Sequence, residues 1–531
     1  MSRMAARALA RLTALLALVL ALAPAARAQD APPAAWAPVA GLNLTEPQQV
    51  YAKDGVLRVT LDAEQETITV SDSQIVAQPF NGSLVGPTLH VRPGDAIEVT
   101  FRNATPQDTN IHFHGLHVSP KGHGDNVFRS FSPGTTVRSR VVLPKDHSPG
   151  TFWYHAHFHG LTEQQLMGGM SGLIVVDGLQ RLLPKELRGI EERQLAIRDL
   201  QVAPGSPGSA ALVGSEIDPT KATTRLVNGL LLPRTTLRSG ETQLWRLANI
   251  GSDLFYDVEL AGHRLTVIAE DGSPVWRTYR ARHLVMPPGK RFDVLVEGGA
   301  PGSYDLRTRA YPQEGFQLLP RTDLATVEVV PGDGQAAAAV PRRLDTPAGP
   351  IMDRPAAKRR TFTFSFGTGK QFTALINGQV FDPAKTNVAP VVDTVEEWTL
   401  RNTSDEEHPF HIHVNDFQVV SVNGKRYRAH NLQDVVTIPK QEHGKPGEVV
   451  IRIPFDDFTG HFVFHCHILG HEDAGMMMTV QVRRKGQRPT PPPGAHAHAH
   501  HRLHAAPARR SVAARGSTPA WLCRLRERRL I

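Results

Sequence analysis

The sequence predicts an all-β protein made of three Greek-key β-sandwich or barrel domains in tandem. One observation is a repeat: an apolar residue, Asn-Gly, a variable loop, an alternating strand and a closing Asn. It occurs as FNGSLVGPTLHVRPGDAIEVTFRNA from Phe80, VNGLLLPRTTLRSGETQLWRLANI from Val227 and INGQVFDPAKTNVAPVVDTVEEWTLRNT from Ile376. The Asn-Gly pairs 81–82, 228–229 and 377–378 stand 147 and 149 residues apart, a domain-sized period that means one domain in three copies. A second observation is the wealth of short alternating segments such as AIEVTFRN, FDVLVEG and EVVIRIPF, bounded by Gly, Pro, Asn and Asp. These are the marks of half-buried strands and turns. A third is length, since 531 residues exceed what one core organises.

Taken in order, residues 1–28 read as a secretory signal. Arg3, Arg7 and Arg11 precede the apolar run LTALLALVLALAP, and Ala26-Arg27-Ala28 supplies a small-residue cleavage site. The run is too short to span a bilayer, and no later stretch reaches the roughly 18 apolar residues a span needs. The mature chain is therefore expected to start at Gln29, without a membrane anchor, and to be exported, periplasmic or secreted. The leader arginines are separated, which predicts export unfolded and metal uptake outside the cytoplasm. The three copies are expected over 45–178, 190–335 and 345–485. LLPKELRGIEERQLAI reads as a short helix or linker between the first two, and DGQAAAAVPRRLDTPAGP separates the second and third. Residues 486–531 form a low-complexity, His- and Pro-rich basic tail that is predicted to be disordered.

Charge excludes one class of function. The net charge of +8 includes four arginines in the leader and twelve Lys/Arg against one Glu over 483–531, so the body 29–482 stands at about −7. An acidic body offers no broad phosphate-binding face, and no nucleic-acid partner is expected.

The histidines carry the chemistry. They cluster as IHFHG (His112, His114), WYHAHFHG (His155, His157, His159), HPFHIH (His408, His411, His413) and HCHILGH (His465, His467, His471). The first two clusters lie in copy one and the last two in copy three. Copy two, after its closing Asn249, reads GSDLFYDVELAGH and has no such pair. On a strand, residues i and i+2 share a face, so four H-x-H pairs supply eight imidazoles suited to a cluster of nitrogen-bound transition metals. Cys466, between His465 and His467, must point the opposite way, toward His408 and His471. Two imidazoles and a thiolate with a weak axial Met476 form a blue-copper ligand set. A closed tetrahedral zinc site poorly suits ten histidines sharing one thiolate. The only other cysteine, Cys523, lies in the tail, and a metal is preferred to a Cys466–Cys523 disulfide.

The motifs H-x-H-G, H-x-H, H-P-F-H-I-H and H-C-H-x3-H-x4-M, in this order over about 75–485, resemble those of the multicopper oxidases, in the three-domain laccase-like branch. The resemblance implies three cupredoxin-like domains, with copy two a copper-free spacer, and four copper ions. It assigns His408, Cys466, His471 and Met476 to a type 1 copper. A type 2 copper would take His112 and His411. A type 3 pair would take His114, His155, His157, His413, His465 and His467. A small-molecule or metal-ion reductant would give electrons through the imidazole edge of His408 or His471, and O2 would be reduced to water at the cluster. Glu472 matches a family carboxylate on the proton path, and Asp125, in the loop after HFHG, is a second relay candidate. His117, His123 and His159 fall outside the ligand pattern.

The resemblance leaves several functions to weigh. A laccase-like oxidase of phenols or aromatic amines comes first, and an axial Met implies a low-potential type 1 site suited to easily oxidised substrates. A Cu(I) or similar metal oxidase has support from Asp405, Glu406, Glu407, Glu472 and Asp473 beside the type 1 ligands, but no Met-rich insertion is visible. A copper-free scaffold of the same fold would need missing ligands. A copper nitrite reductase would have two domains and no type 3 pair.

Overall fold

The computed structural model describes residues 36–202, 217–218, 223–313, 319–333 and 339–493. The expected leader and the tail beyond residue 493, with Cys523, lie outside the described residues. Residues 486–493, expected to be disordered, are instead held to the third unit, where Gln481 donates to Thr490 Oγ1 at 2.8 Å and accepts Thr490 N–H at 2.9 Å. The protein is all-β and cupredoxin-like, with strands gathered into three successive two-sheet units. In the first, a five-stranded sheet with edge strands Gln49–Tyr51 and His112–His114 faces a three-stranded sheet built on Val56–Glu64 and Ala96–Ala104, and Glu66–Val70 with Ser73–Ala77 forms a separate hairpin. The second sets a six-stranded sheet against a five-stranded one, and the third a six-stranded sheet against a four-stranded one. Each unit encloses its own apolar core, marked by Phe101, Trp245 and Trp398 respectively, none of which is exposed.

The sequence repeat has a common structural cause. In each copy a parallel strand pair is extended by an antiparallel third strand. The parallel pairs are Val56–Glu64 with Ala96–Ala104, Glu192–Leu200 with Thr242–Asn249, and Ala356–Phe366 with Thr394–Asn402. The third strands are Thr136–Val142, Arg291–Glu297 and Gly447–Phe455. Asn81, Asn228 and Asn377 all take positive φ (+55°, +52°, +52°) and are followed by a positive-φ glycine, as a type I′ hairpin turn demands. Their side-chain oxygens accept from the backbone N–H of Asp62, Ala196 and Thr363. The closing Asn103, Asn249 and Asn402 each accept a backbone N–H two residues on, at 3.0, 3.0 and 2.9 Å. These Asn side chains stand in for missing ladder bonds.

The segment LLPKELRGIEERQLAI is a connecting stretch, as expected, only as far as residue 191, and becomes a strand from Glu192. It makes two single 3₁₀ turns, Leu179–Leu182 and Lys185–Leu187, and then strand Glu192–Leu200. Pro184 and Gly189 interrupt any helix, and the strand pairs with neighbours on both edges. Leu195 and Ile197 lie in the second core. Among the described residues no helix is long and apolar enough to cross a membrane.

Candidate metal centre

The histidine strands pair within each outer unit. His112–His114 runs antiparallel to Gly150–His155 with His112 opposite His155, and His408–Ile412 runs antiparallel to Gly460–Cys466 with His411 opposite His465. The two units then meet face to face. His112 stacks on His413 with ring centroids 3.7 Å apart, and His114 on His411 at 3.8 Å. His157 Nε2 lies 3.2 Å from His465 Nε2, and His467 Nε2 lies 3.3 Å from His114 Nδ1. All eight H-x-H imidazoles expected to form the cluster are therefore together, and all are buried.

The donor set fits metal ions. The buried Nε2 atoms of His112, His155, His411 and His413 have no hydrogen-bond partner, an arrangement that is costly unless something binds there. Their other nitrogens are largely engaged: His112 Nδ1 with Asp125, His155 Nδ1 with Ala156 O, His411 Nδ1 with Asp434 O. Burial, followed by the neighbouring imidazoles, holds His112, His413 and His467 well below the usual histidine range. That low basicity favours the neutral ring, and the unpartnered Nε2 atoms of His112 and His413 are available as donors. Donor atoms of His157, His413 and His465 lie within 4.8 Å of one another, as do those of His112, His411 and His413.

A second site sits on the far side of the Gly460–Cys466 strand. Cys466 Sγ lies 3.5 Å from His408 Nδ1 and 3.7 Å from His471 Nδ1. Burial pushes the Cys466 thiol well up, so a metal must displace its proton, as thiolate ligands require. Met476 is wholly buried in the same core. The backbone holds it near, with Cys466 N–H donating to Met476 O at 3.1 Å and Met476 N–H to His471 O at 2.9 Å. The two imidazoles differ in access. His408 Nε2 is turned to Ser404 Oγ at 2.8 Å and is unexposed. His471 Nε2 faces Glu406 at 3.3 Å, with 11% of its side chain exposed. Only the His471 edge reaches the surface, beside Phe366 and the half-exposed Phe372.

Both candidate carboxylates adjoin the cluster. Glu472 Oε2 is 2.9 Å from His465 Nδ1, and Oε1 is 3.4 Å from His157 Nδ1 and accepts from Thr162 Oγ1 at 3.1 Å. Burial raises its pKa, but the imidazoles of His157 and His465 outweigh that and leave it at about 2. The short helix Leu469–Asp473 carries it. Asp473 caps the opposing helix Thr162–Met167 by accepting the N–H groups of Thr162 and Glu163 at 3.2 and 3.0 Å. Asp125 lies 2.9 Å from His112 Nδ1 and accepts Phe113 N–H at 2.9 Å. Burial pushes it up to about 7, with the Phe113 bond opposing.

The histidines outside the motif pattern stay outside the site. His117 Nδ1 bonds Val414 O, and Nε2 pairs with Asp457 across the unit boundary. His123 faces Arg138 O, and His159 packs edge-on to Phe381. Asp434 is a site residue that motif reading misses. Its Oδ1 lies 3.3 Å from His114 Nε2, and both its oxygens are gripped by Arg291 of the second unit. No local pattern marks it, because its partners are 320 and 143 residues away.

Comparison with known proteins agrees with this architecture. Three multicopper oxidase family models match residues 62–180, 150–326 and 351–486. The chain is 26% identical over 417 residues to multicopper oxidase mco of Staphylococcus aureus, covering 76% of this chain and 83% of that one. It is 28% identical over 365 residues to cell division protein FtsP of Escherichia coli (strain K12), covering 65% and 73%. Among solved structures, a laccase-like multicopper oxidase, CueO, from the lignin-degrading bacterium Ochrobactrum sp. superposes with a TM-score of 0.70 at 25% identity. That match covers 83% of this chain and all of the other. The chain belongs to the multicopper oxidase family, as a three-domain, copper-dependent oxidoreductase that uses dioxygen.

Proposed function

We propose that this oxidase takes single electrons from phenols or aromatic amines at the Cys466 site and uses four of them, with four protons, to reduce O2 to two waters at the eight-histidine site. The observation that carries the reading is the position of Cys466. Its Sγ belongs to one site while its chain neighbours His465 and His467 belong to the other, so a few covalent bonds link the two. Bound copper supplies one-electron chemistry at the first site and dioxygen reduction at the second. His408, Cys466, His471 and Met476 would hold type 1 copper, and His112 and His411 type 2. His114, His155, His157, His413, His465 and His467 would hold the type 3 pair, for four ions in all.

The protein's own groups divide the remaining work. His471 is the exposed edge at which a reductant docks, and Phe366 and Phe372 present aromatic faces there. Glu472 and Asp125 touch cluster imidazoles and are placed to hand on protons. Substrate oxidation at the His471 edge and O2 reduction among the buried imidazoles would then take place at separate sites. A second reading, oxidation of Cu(I) or a similar ion, draws on the Glu406 carboxylate against His471 Nε2. The arginine-flanked apolar run within residues 1–28 supports a reading of export to the periplasm or beyond.

Copper per chain, the visible spectrum and EPR of the loaded, mature protein test the assignment. About four coppers, an intense blue band and distinct type 1 and type 2 signals are expected, and one copper with only a blue signal would overturn O2 reduction. Oxygen uptake with a substituted phenol, an aromatic amine and Cu(I) then separates the two substrate readings. Glu406→Gln should depress Cu(I) oxidation selectively if the metal reading holds.

A further inference from the structure

We propose that the middle domain is a working part of the oxygen-reducing site. Its Arg291 acts as a positioning residue that clamps Asp434 and, through it, His114 and His411. The inference rests on the copper assignment above. Arg291 begins strand Arg291–Glu297 and is wholly buried. Its Nη1 and Nη2 donate to Asp434 Oδ1 and Oδ2 at 2.7 and 2.6 Å, a two-pronged bond that fixes the carboxylate plane. The rest of the guanidinium is also used: Nε donates to Thr151 O at 3.2 Å and Nη1 to Gly289 O at 2.9 Å. One side chain thus ties together all three domains.

What Asp434 does with its fixed orientation is visible at the cluster. Its Oδ1 lies 3.3 Å from His114 Nε2, and its backbone O accepts from His411 Nδ1 at 2.9 Å. The second contact places the His411 proton on Nδ1 and leaves Nε2, which has no partner, for the metal. Such outer contacts set ring orientation and ligand basicity. Domain two holds the whole segment. Lys290 Nζ donates to Val435 O at 3.0 Å, Gln433 Nε2 to Glu270 Oε1 at 2.7 Å, and Asn431 Nδ2 to Glu270 O and Ser273 O at 2.7 and 2.9 Å.

Two glycines show that the fit is close. At Gly115, next to His114, φ is +81° and a Cβ would collide with Asp434 Oδ2 and Arg291 Nη2. At Gly289, φ is +84° and a Cβ would stand 3.1 Å from ring atoms of both His114 and His467. Domain two, which carries no H-x-H pair, still presses its backbone and two cations, Lys290 and Arg291, against its neighbours.

The test uses the full, copper-loaded chain and three variants: Arg291→Lys, which keeps the charge but loses the fork, Asp434→Asn, and their double. Copper release to a chelator is followed alongside the blue band and the type 2 EPR signal. Arg291→Lys is expected to keep the blue band of the Cys466 site, shift the type 2 signal, and weaken cluster copper retention about 10- to 100-fold. In the Asp434→Asn background the same change should add less than about twofold, because it acts through Asp434. Native retention and a native type 2 signal in Arg291→Lys would overturn the proposal, as would additive effects in the double variant. If Arg291→Lys loses the blue band through misfolding, Asp434→Asn decides by the same readouts, and native cluster retention there overturns the proposal. A parent chain holding a single copper overturns the copper assignment itself, whereas four coppers held equally tightly in parent and variants overturn this inference alone.

Discussion

The carbonyl oxygen of Cys466 lies 3.0 Å from Nδ1 of His465, so the thiol residue of one candidate metal site and an imidazole of the other share a hydrogen bond as well as a peptide bond. The strand that carries them gives each side chain its own face.

Cys466→Ser should separate the two sites functionally. The hydroxyl is a poor copper ligand beside the imidazoles of His408 and His471, and the volume change is small. Loss of the blue band and of substrate oxidation is expected, with about three coppers retained. Copper analysis with EPR checks this, and loss of all copper would mean that the sites fold as one.

Glu472→Gln keeps the shape of the group between His465 and His157 but removes its capacity to accept a proton. Oxygen reduction should slow by about 10²- to 10⁴-fold, the usual worth of positioned acid–base groups. Reduction of the blue site by substrate without oxygen should be unchanged, because Glu472 lies on the cluster side. Stopped-flow bleaching of the blue band, followed by its recovery on mixing with O2, separates the two rates.

How much of this was legible depends on sequence separation. Each H-x-H pair was readable because alternation along an extended chain puts i and i+2 on one face, although His157, His413 and His467 stand just past the strands that end at His155, Ile412 and Cys466. Cys466 was readable because the same alternation sends it to the other face. The triplicated Asn-Gly turn was readable because positive φ restricts residue choice locally. Strand Glu192–Leu200 was not: its Leu, Glu, Gln and Arg favour helix, and only pairing with Thr224–Val227 and Thr242–Asn249 makes it a strand. Asp434 and Arg291 were invisible for the same reason in sharper form. An Asp in LQDVV and an Arg in GKRFDV are ordinary until the fold carries them across 143 residues into one fork.

Met476→Leu tests the axial position. Leucine of similar volume fits the apolar surroundings of Met476 in the third core, at a stability cost below about 1.5 kcal/mol. Removing the thioether removes a donor that favours the oxidised ion, so the potential of the blue site should rise while its copper is kept. Redox titration of the blue band checks the direction, and an unchanged potential would show that the sulfur does not face the metal.

His147 sets the last prediction, on acid stability away from the metal ligands. It is buried, its Nε2 accepts the His117 backbone N–H at 3.1 Å, and its Nδ1 donates to Ser148 O at 2.9 Å. Both nitrogens are committed to the neutral ring, so a second proton would point one N–H at another. Burial is the main cause that lowers its pKa from 6.5 to about 4, against the opposing Ser148 bond. The folded value lies below the unfolded one, so the stabilisation is complete above pH 6.5 and drains away as pH falls toward 4. The shift corresponds to about 3 kcal/mol over that window. In His147→Gln the drain is absent, and the stability gap between parent and variant should narrow steadily from neutral pH toward pH 4. Chemical denaturation midpoints of the two copper-loaded proteins across this range measure the gap, and a gap independent of pH would mean that His147 takes up its proton at the same pH folded as unfolded.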